Sequence, residues 1–261
     1  MILLAAVGPK IFINSDARYS DEMVLWQEHN RIVVSSVDAD EKFDSVGYEI
    51  TWENRGPGEL YGTLTLTRGR RPMGHWHAKA IDNKIHMSIQ VVNITDMTWP
   101  VAELSMCYKH RGAKGFWDPT LERTYIEWDG APVTIRERLE QMHGKEAFWP
   151  KNHLHRSGCE RTYNRYNRVG LRNPTSAGWQ HHRDATSGGW IGIVSTDSTW
   201  VSGICWNSSE MLAHNAPDYG CIHAGLTLGY DVKPSDVVER SGAILFGETE
   251  IGTLMELAKR I

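Results

Sequence analysis

Apolar and polar residues alternate with the two-residue period of a half-buried strand over residues 31–37, 47–53, 60–67, 84–92 and 101–108. Two further pairs flank turn signals. One is 124–128 with 132–135 around Asp129-Gly130, and the other is 189–195 with 200–206 around Thr196-Asp197-Ser198. Residues 243–246 close the series. Ten short strands separated by polar turns predict an all-β protein. The expected architecture is an antiparallel β-sandwich, supersandwich or jelly-roll-like, with a closed barrel as the alternative. Helical spacing is rarer. Residues 136–142 predict one short helix. In 248–261, Ile251, Leu254, Leu257, Ala258 and Ile261 share a face. Glu248 and Glu250 near the start and Lys259 and Arg260 near the end suit the helix dipole. This C-terminal α-helix should pack on the outside of the sandwich. No repeat, low-complexity tract or linker interrupts the pattern, so residues 1–261 read as one domain.

Composition narrows the classes. The chain is 41% hydrophobic and 23% charged with a net charge of -4, so no basic field points to nucleic acid or an anionic membrane. The apolar run at residues 1–7 is too short to span a bilayer and lacks a basic leader, and no other stretch approaches that length. A secreted or periplasmic location, with a signal peptide absent from this chain, is one open reading. Eleven tryptophans are unusual in one chain: the first reading of each is aromatic core, and the other is a platform, because an indole face also stacks on the apolar face of a sugar. The four cysteines, Cys107, Cys159, Cys205 and Cys221, lie far apart with no C-x-x-C. They read as buried thiols, with one disulfide as the alternative in an exported protein. Nothing in their spacing suggests zinc held by cysteine.

Residues 143–190 break the strand pattern and read as a long ordered loop, rich in Asn, Gly, Arg, His and Tyr. Eight basic against three acidic residues give this segment a net +5 inside an acidic chain, and five of the twelve histidines lie in it: His143, His153, His155, His181 and His182. Arginine forks match carboxylates in pairs. Arg161, Arg165 and Arg168 are therefore candidate binders of an anionic sugar, with Trp179 to stack on it. His181 or His182 is a candidate base and Tyr163 or Tyr166 a candidate acid. A second segment, 206–223, interleaves amides and rings after a strand and reads as a loop at the sandwich edge. In it Trp206, Asn207 and Asn215 are candidate substrate contacts and His214 or His223 a further base. The two segments should face each other across a cleft.

The third feature is His75-Trp76-His77, whose imidazoles point to one face of a strand and suit a divalent metal, zinc or copper. With Gly69 it resembles the opening of the cupin motif, Gly-x5-His-x-His. Asp82 stands where that motif has Glu, and its closing Gly is missing. No Gly-x-Ser-x-Gly elbow, P-loop or dinucleotide fingerprint occurs. Glu53, Glu103, Glu127, Glu160 and Glu210 could serve hydrolysis, and spacing does not rank them.

The stretch Ile85-His-Met-Ser-Ile-Gln-Val-Val-Asn-Ile-Thr-Asp-Met-Thr-Trp-Pro100 resembles the central strand and turn of galactose-mutarotase-like supersandwich proteins. Cys221-Ile-His-Ala, Lys233-Pro-Ser-Asp, Gly242-Ala-Ile-Leu-Phe and the final helix resemble uncharacterised β-sandwich proteins of polysaccharide-degrading bacteria. These resemblances cover about half the chain. They imply a β-sandwich and a carbohydrate context, and they transfer no catalytic residue. The leading expectation is a carbohydrate-active enzyme acting on an acidic polysaccharide or oligosaccharide, a lyase working by β-elimination. Carboxylate hydrolysis is its nearest rival. The alternatives are a metal-dependent hydrolase or oxidase at His75 and His77, with His223 or His182 completing the ligands, and a non-catalytic glycan-binding module.

Overall fold

The structure, a computed structural model, describes residues 11–13, 23–27, 31–34, 44–82, 84–104, 106–110, 113–145, 149, 151–159, 179–215 and 220–261. The strands among them are β1 (Ile11–Ile13), β2 (Met23–Gln27), β3 (Arg31–Val34), β4 (Asp44–Gly56), β5 (Glu59–Leu66), β6 (Pro72–Ile81), β7 (Lys84–Val92), β8 (Trp99–Leu104) and β9 (Met106–Lys109). There follow β10 (Thr124–Trp128), β11 (Ala131–Thr134), β12 (Lys151–Arg156), β13 (Trp179–Thr186), β14 (Trp190–Val194), β15 (Val201–Trp206), β16 (Ser209–Asn215), β17 (Cys221–Val232) and β18 (Val237–Gly247). Two α-helices accompany them, α1 (Ile135–His143) and α2 (Ile251–Ala258).

The fold is all-β and mostly antiparallel, as the alternation predicts. One sheet is built around β17. Strand β16 pairs along one of its edges, and β9 and β8 pair in turn along the other. From β16 the sheet continues to β12 and then β13. From β9 and β8 it continues to β2 and β3. The β1–β2 and β12–β13 pairs are parallel. The second sheet is antiparallel throughout, in the order β4, β5, β6, β7, β18, β15, β14, β10, β11. Strand β4 joins the two, pairing with β3 at its start and with β5 from Tyr48 onward.

The inward faces of both sheets supply one large core. Strand β7 shows how the pattern works: Ile85, Met87, Ile89 and Val91 are buried, and the residues between them are not. Strand β17 behaves differently. Every residue from Cys221 to Leu228 is buried, so no alternation marks it. Helix α2 covers the outer face of the second sheet, where Leu254 and Met255 pack on Trp190, Val201, Cys205, Ala243 and Leu245. It sits close because Gly192 and Gly203 are cross-strand partners beneath it. A Cβ on Gly203 would lie 3.2 Å from Leu254 Cδ2 and 2.8 Å from the Ile191 carbonyl. Helix α1 starts with a capping box, in which the Thr134 side chain accepts from Glu137 N–H and Glu137 reaches back to Thr134. The hairpin turn at Asp129-Gly130 takes positive φ at both residues, 52° and 78°.

Two expectations are corrected. Residues 143–190 are not a loop throughout, because they contain β12 and β13. Residues 206–223 are largely strand, since β16 and the start of β17 lie there. The described parts of the two segments do not face each other across a cleft either: β12 is hydrogen-bonded directly to β16 within one sheet.

Candidate functional site

The pairing registers stack chemistry-bearing residues in rows across the first sheet. Cα partners on adjacent strands point to the same face, and so do residues two apart on one strand. One row runs His181, His153, Ala213, His223, Cys107 over β13, β12, β16, β17 and β9. The next row on the same face runs Trp179, Lys151, Asn215, Cys221, Lys109. His155, two residues beyond His153, joins them. Four of the residues singled out from the sequence, Trp179, His181, Asn215 and His223, thus share one face.

The rings on this face touch. Trp179 stacks on His153 with centroids 4.3 Å apart and turns its edge toward His223 at 6.4 Å. His181 Nδ1 lies 3.4 Å from His153 Nδ1 and 3.3 Å from His155 Nε2. Burial, then the neighbouring imidazoles His181, His155, His223 and His182, hold His153 well below the usual histidine range. Burial, then His181 and His182, brings His155 down to about 3. Burial alone lowers His181. All three are therefore neutral at pH 7. His181 and His153 are half-buried and His155 is fully buried.

His182 belongs to the opposite face of β13, and its hydrogen bonds define its tautomer. Asn152 Nδ2 donates to the Trp149 carbonyl at 2.6 Å, which turns Asn152 Oδ1 toward His182 Nε2 at 3.0 Å. Nε2 must therefore carry the proton. His182 Nδ1 then accepts from His143 Nε2–H at 2.9 Å. Burial, followed by His143 and His181, brings His182 down to about 4. Both nitrogens are engaged and the ring is 4% exposed, so His182 is a core residue and not an available base. His214 shares that inward face and is buried beside Asn152.

The remaining candidates lie elsewhere. His75 and His77 share a face of β6, but the Tyr61 ring is packed against both, at 5.4 and 6.4 Å, and His77 Nε2 lies 2.8 Å from Glu59 Oε1. Trp206 and Asn207 line a separate cavity of about 330 Å³ with Glu127, Arg156, Trp190 and Lys259. There Glu127 accepts from the Trp190 indole, and Lys259 stands 3.5 Å from its other oxygen. Arg161, Tyr163, Arg165, Tyr166 and Arg168 lie outside the described residues.

The residues that sequence reasoning left without a role are Lys151, His153 and His155. Their i, i+2, i+4 spacing in Lys151-Asn-His-Leu-His-Arg156 was the available signal. Among the described residues, the metal-ligating side chains that converge as a group of three are Cys107, Cys221 and His223. All are buried, with ligand atoms within 4.8 Å of one another. No described helix is long and apolar enough to cross a membrane.

No protein-family model matches the chain, and no curated protein does. Solved structures of similar shape exist at low identity. A galactose mutarotase related enzyme from Lactobacillus acidophilus is 9% identical with a TM-score of 0.40, over 80% of this chain and 78% of its own. A protein from Synechocystis sp. PCC 6803 is 7% identical with a TM-score of 0.44, over 87% of this chain and 78% of its own. No characterised family therefore stands behind the loose resemblance read from the sequence.

Proposed function

We propose that this protein is a carbohydrate-active enzyme that moves a proton on a sugar ring, and that the histidine face of β12 and β13 is where it does so. One observation carries the reading: neutral, crowded imidazoles stand beside a stacking indole on a single strand face. Trp179 offers a platform for the apolar face of a pyranose. Asn215 and Lys151 offer directional polar contacts in the same row. His181, half-buried and neutral, is the base, with the neutral rings of His153 and His155 beside it.

The specific reaction we propose is β-elimination on an acidic glycan. His181 removes the proton next to the uronate carboxylate. The electron pair forms the new double bond, and the glycosidic oxygen leaves with a proton from an acid. Lys151 supplies positive charge for the carboxylate from this face. Arg161, Arg165 and Arg168 as neutralisers and Tyr163 or Tyr166 as the acid remain part of this proposal.

A panel of uronate-containing glycans, followed by the ultraviolet absorbance of unsaturated products, tests it. His181→Ala should lower turnover by about 100-fold or more with little change in melting temperature. His182→Ala should instead lower the melting temperature, because it strips partners from Asn152 and His143. An active enzyme on which His181→Ala has no effect would end the assignment.

A further inference from the structure

We infer that Cys107, Cys221 and His223 form a binding site for a single thiolate-seeking metal ion, zinc by ligand type, at the edge of the histidine face. Cys221 and His223 are two apart on β17, so their side chains leave the same face. Cys107 on β9 is the direct Cα partner of His223. Two thiols and an imidazole thus meet from two adjacent strands, although Cys107 and Cys221 are 114 positions apart in the chain.

The distances suit coordination. Cys221 Sγ lies 3.1 Å from His223 Nε2, and all three ligand atoms lie within 4.8 Å of one another. A tetrahedral ion with bonds of about 2.0–2.3 Å holds its ligand atoms about 3–4 Å apart, so small side-chain rotations close the site. Burial adds to this. The three residues are 3%, 1% and 5% exposed. They sit on a strand pair held by its neighbours on both sides, so the donors are pre-positioned without a flexible loop. Sulfur donors choose zinc or copper(I) over calcium, magnesium or manganese. Among the described residues three side chains converge, two thiolates and an imidazole, a donor set that suits a tetrahedral zinc ion. In the same row, only the methyl group of Ala213 stands between His223 and His153. The ion would therefore border the imidazoles.

The site is independent of the reaction proposed above, and its test reads metal, not turnover. Full-length protein purified under reducing conditions would be analysed for metal, stripped, and titrated with Zn²⁺ and with Co²⁺. The expected result is about one zinc per chain. Co²⁺ should give an intense thiolate-to-cobalt charge-transfer band with the visible bands of tetrahedral cobalt. Zinc should raise the melting temperature. His223→Gln and Cys107→Ser should each lose the cobalt spectrum. Cys205→Ser should keep it, because that thiol lies under α2 and hydrogen-bonds to the Ala243 carbonyl. If Cys107→Ser does not fold, the wild-type cobalt titration and His223→Gln still decide. Reduced wild-type protein that binds neither ion overturns the inference. So does peptide mapping that finds Cys107 and Cys221 joined as a disulfide in the protein as isolated. Copper in place of zinc in the isolated protein would keep the site and correct the ion.

Discussion

Mild acid should unfold this protein well above the pH at which carboxylates titrate. Three imidazoles are buried almost completely: His110 at 1%, His155 at 0% and His182 at 4% exposure. Burial is the main cause in each, and it brings His110 and His155 to about 3 and His182 to about 4. The neighbours reinforce it, since His214 faces His110, His181 faces His155, and His143 faces His182. In the unfolded chain each ring titrates near 6.5. The folded value is depressed, so the unfolded state takes up protons first as pH falls. The stability these groups contribute is complete above about pH 6.5 and is lost as the pH drops toward 4. At pH 5 each neutral ring costs the folded state roughly 2 kcal/mol relative to the unfolded chain. Three rings together remove about 6 kcal/mol, comparable to the whole stability of many domains. Urea unfolding curves at pH 7.5, 6.0 and 5.0 read this directly. The slope should reach at least about three protons taken up on unfolding near pH 5.5, where few carboxylates titrate, because His153 and His181, also lowered, add to the three rings. His182→Gln, which cannot titrate, should reduce that uptake by about one whatever it does to stability at pH 7. Uptake below one proton at pH 5.5 would refute the argument, because it would mean that these rings are already charged in the fold or that solvent reaches them.

Two further substitutions probe how the sheets are joined and covered. Asn93, fully buried between β7 and β8, donates to the Met97 and Val232 carbonyls and accepts from Thr95 N–H and Oγ1–H. Asn93→Ala should cost about 3 kcal/mol in chemical denaturation by leaving those groups unpaired, and a loss below about 1 kcal/mol would show that water replaces the amide. Gly203→Ala should cost about 1–3 kcal/mol by pushing a methyl group into the Ile191 carbonyl and Leu254. Trp190 fluorescence and tail proteolysis would register the lifting of α2, and an unchanged melting curve would contradict the close approach.

What could be read from the chain depended on whether an element buries one face or two. Strand β7 and helix α2 each have one wet face, so Ile85, Met87, Ile89 and Val91, or Ile251 and Leu254, stand out by period alone. Strand β17 is covered on both faces and looks like an unpatterned run holding Cys221, His223 and Thr227. Strand β12 alternates only over Lys151–Leu154, where Asn152 and Leu154 are buried and Lys151 and His153 are not, and one of its two buried positions there is an Asn, a residue that local rules assign to loops. Residue types at the candidate site were legible where positions were not. His181 and His182 looked equivalent as a pair, yet neighbours in a strand point to opposite faces, and only one of them can look outward. The parallel pairing of β12 with β13 settles which one, by placing His181 opposite His153 and His182 opposite Leu154. The cysteines make the same point more strongly. Their spacing argues against a shared ion as long as ligands are sought within one turn or hairpin. It is the long-range pairing of β9 with β17 that sets Cys107 against His223, and a shift of one residue in that register would send Cys107 to the other face and dissolve the group. The chemistry of this face is therefore a property of strand register, which the hydrophobic pattern over many strands determines together and no local motif records.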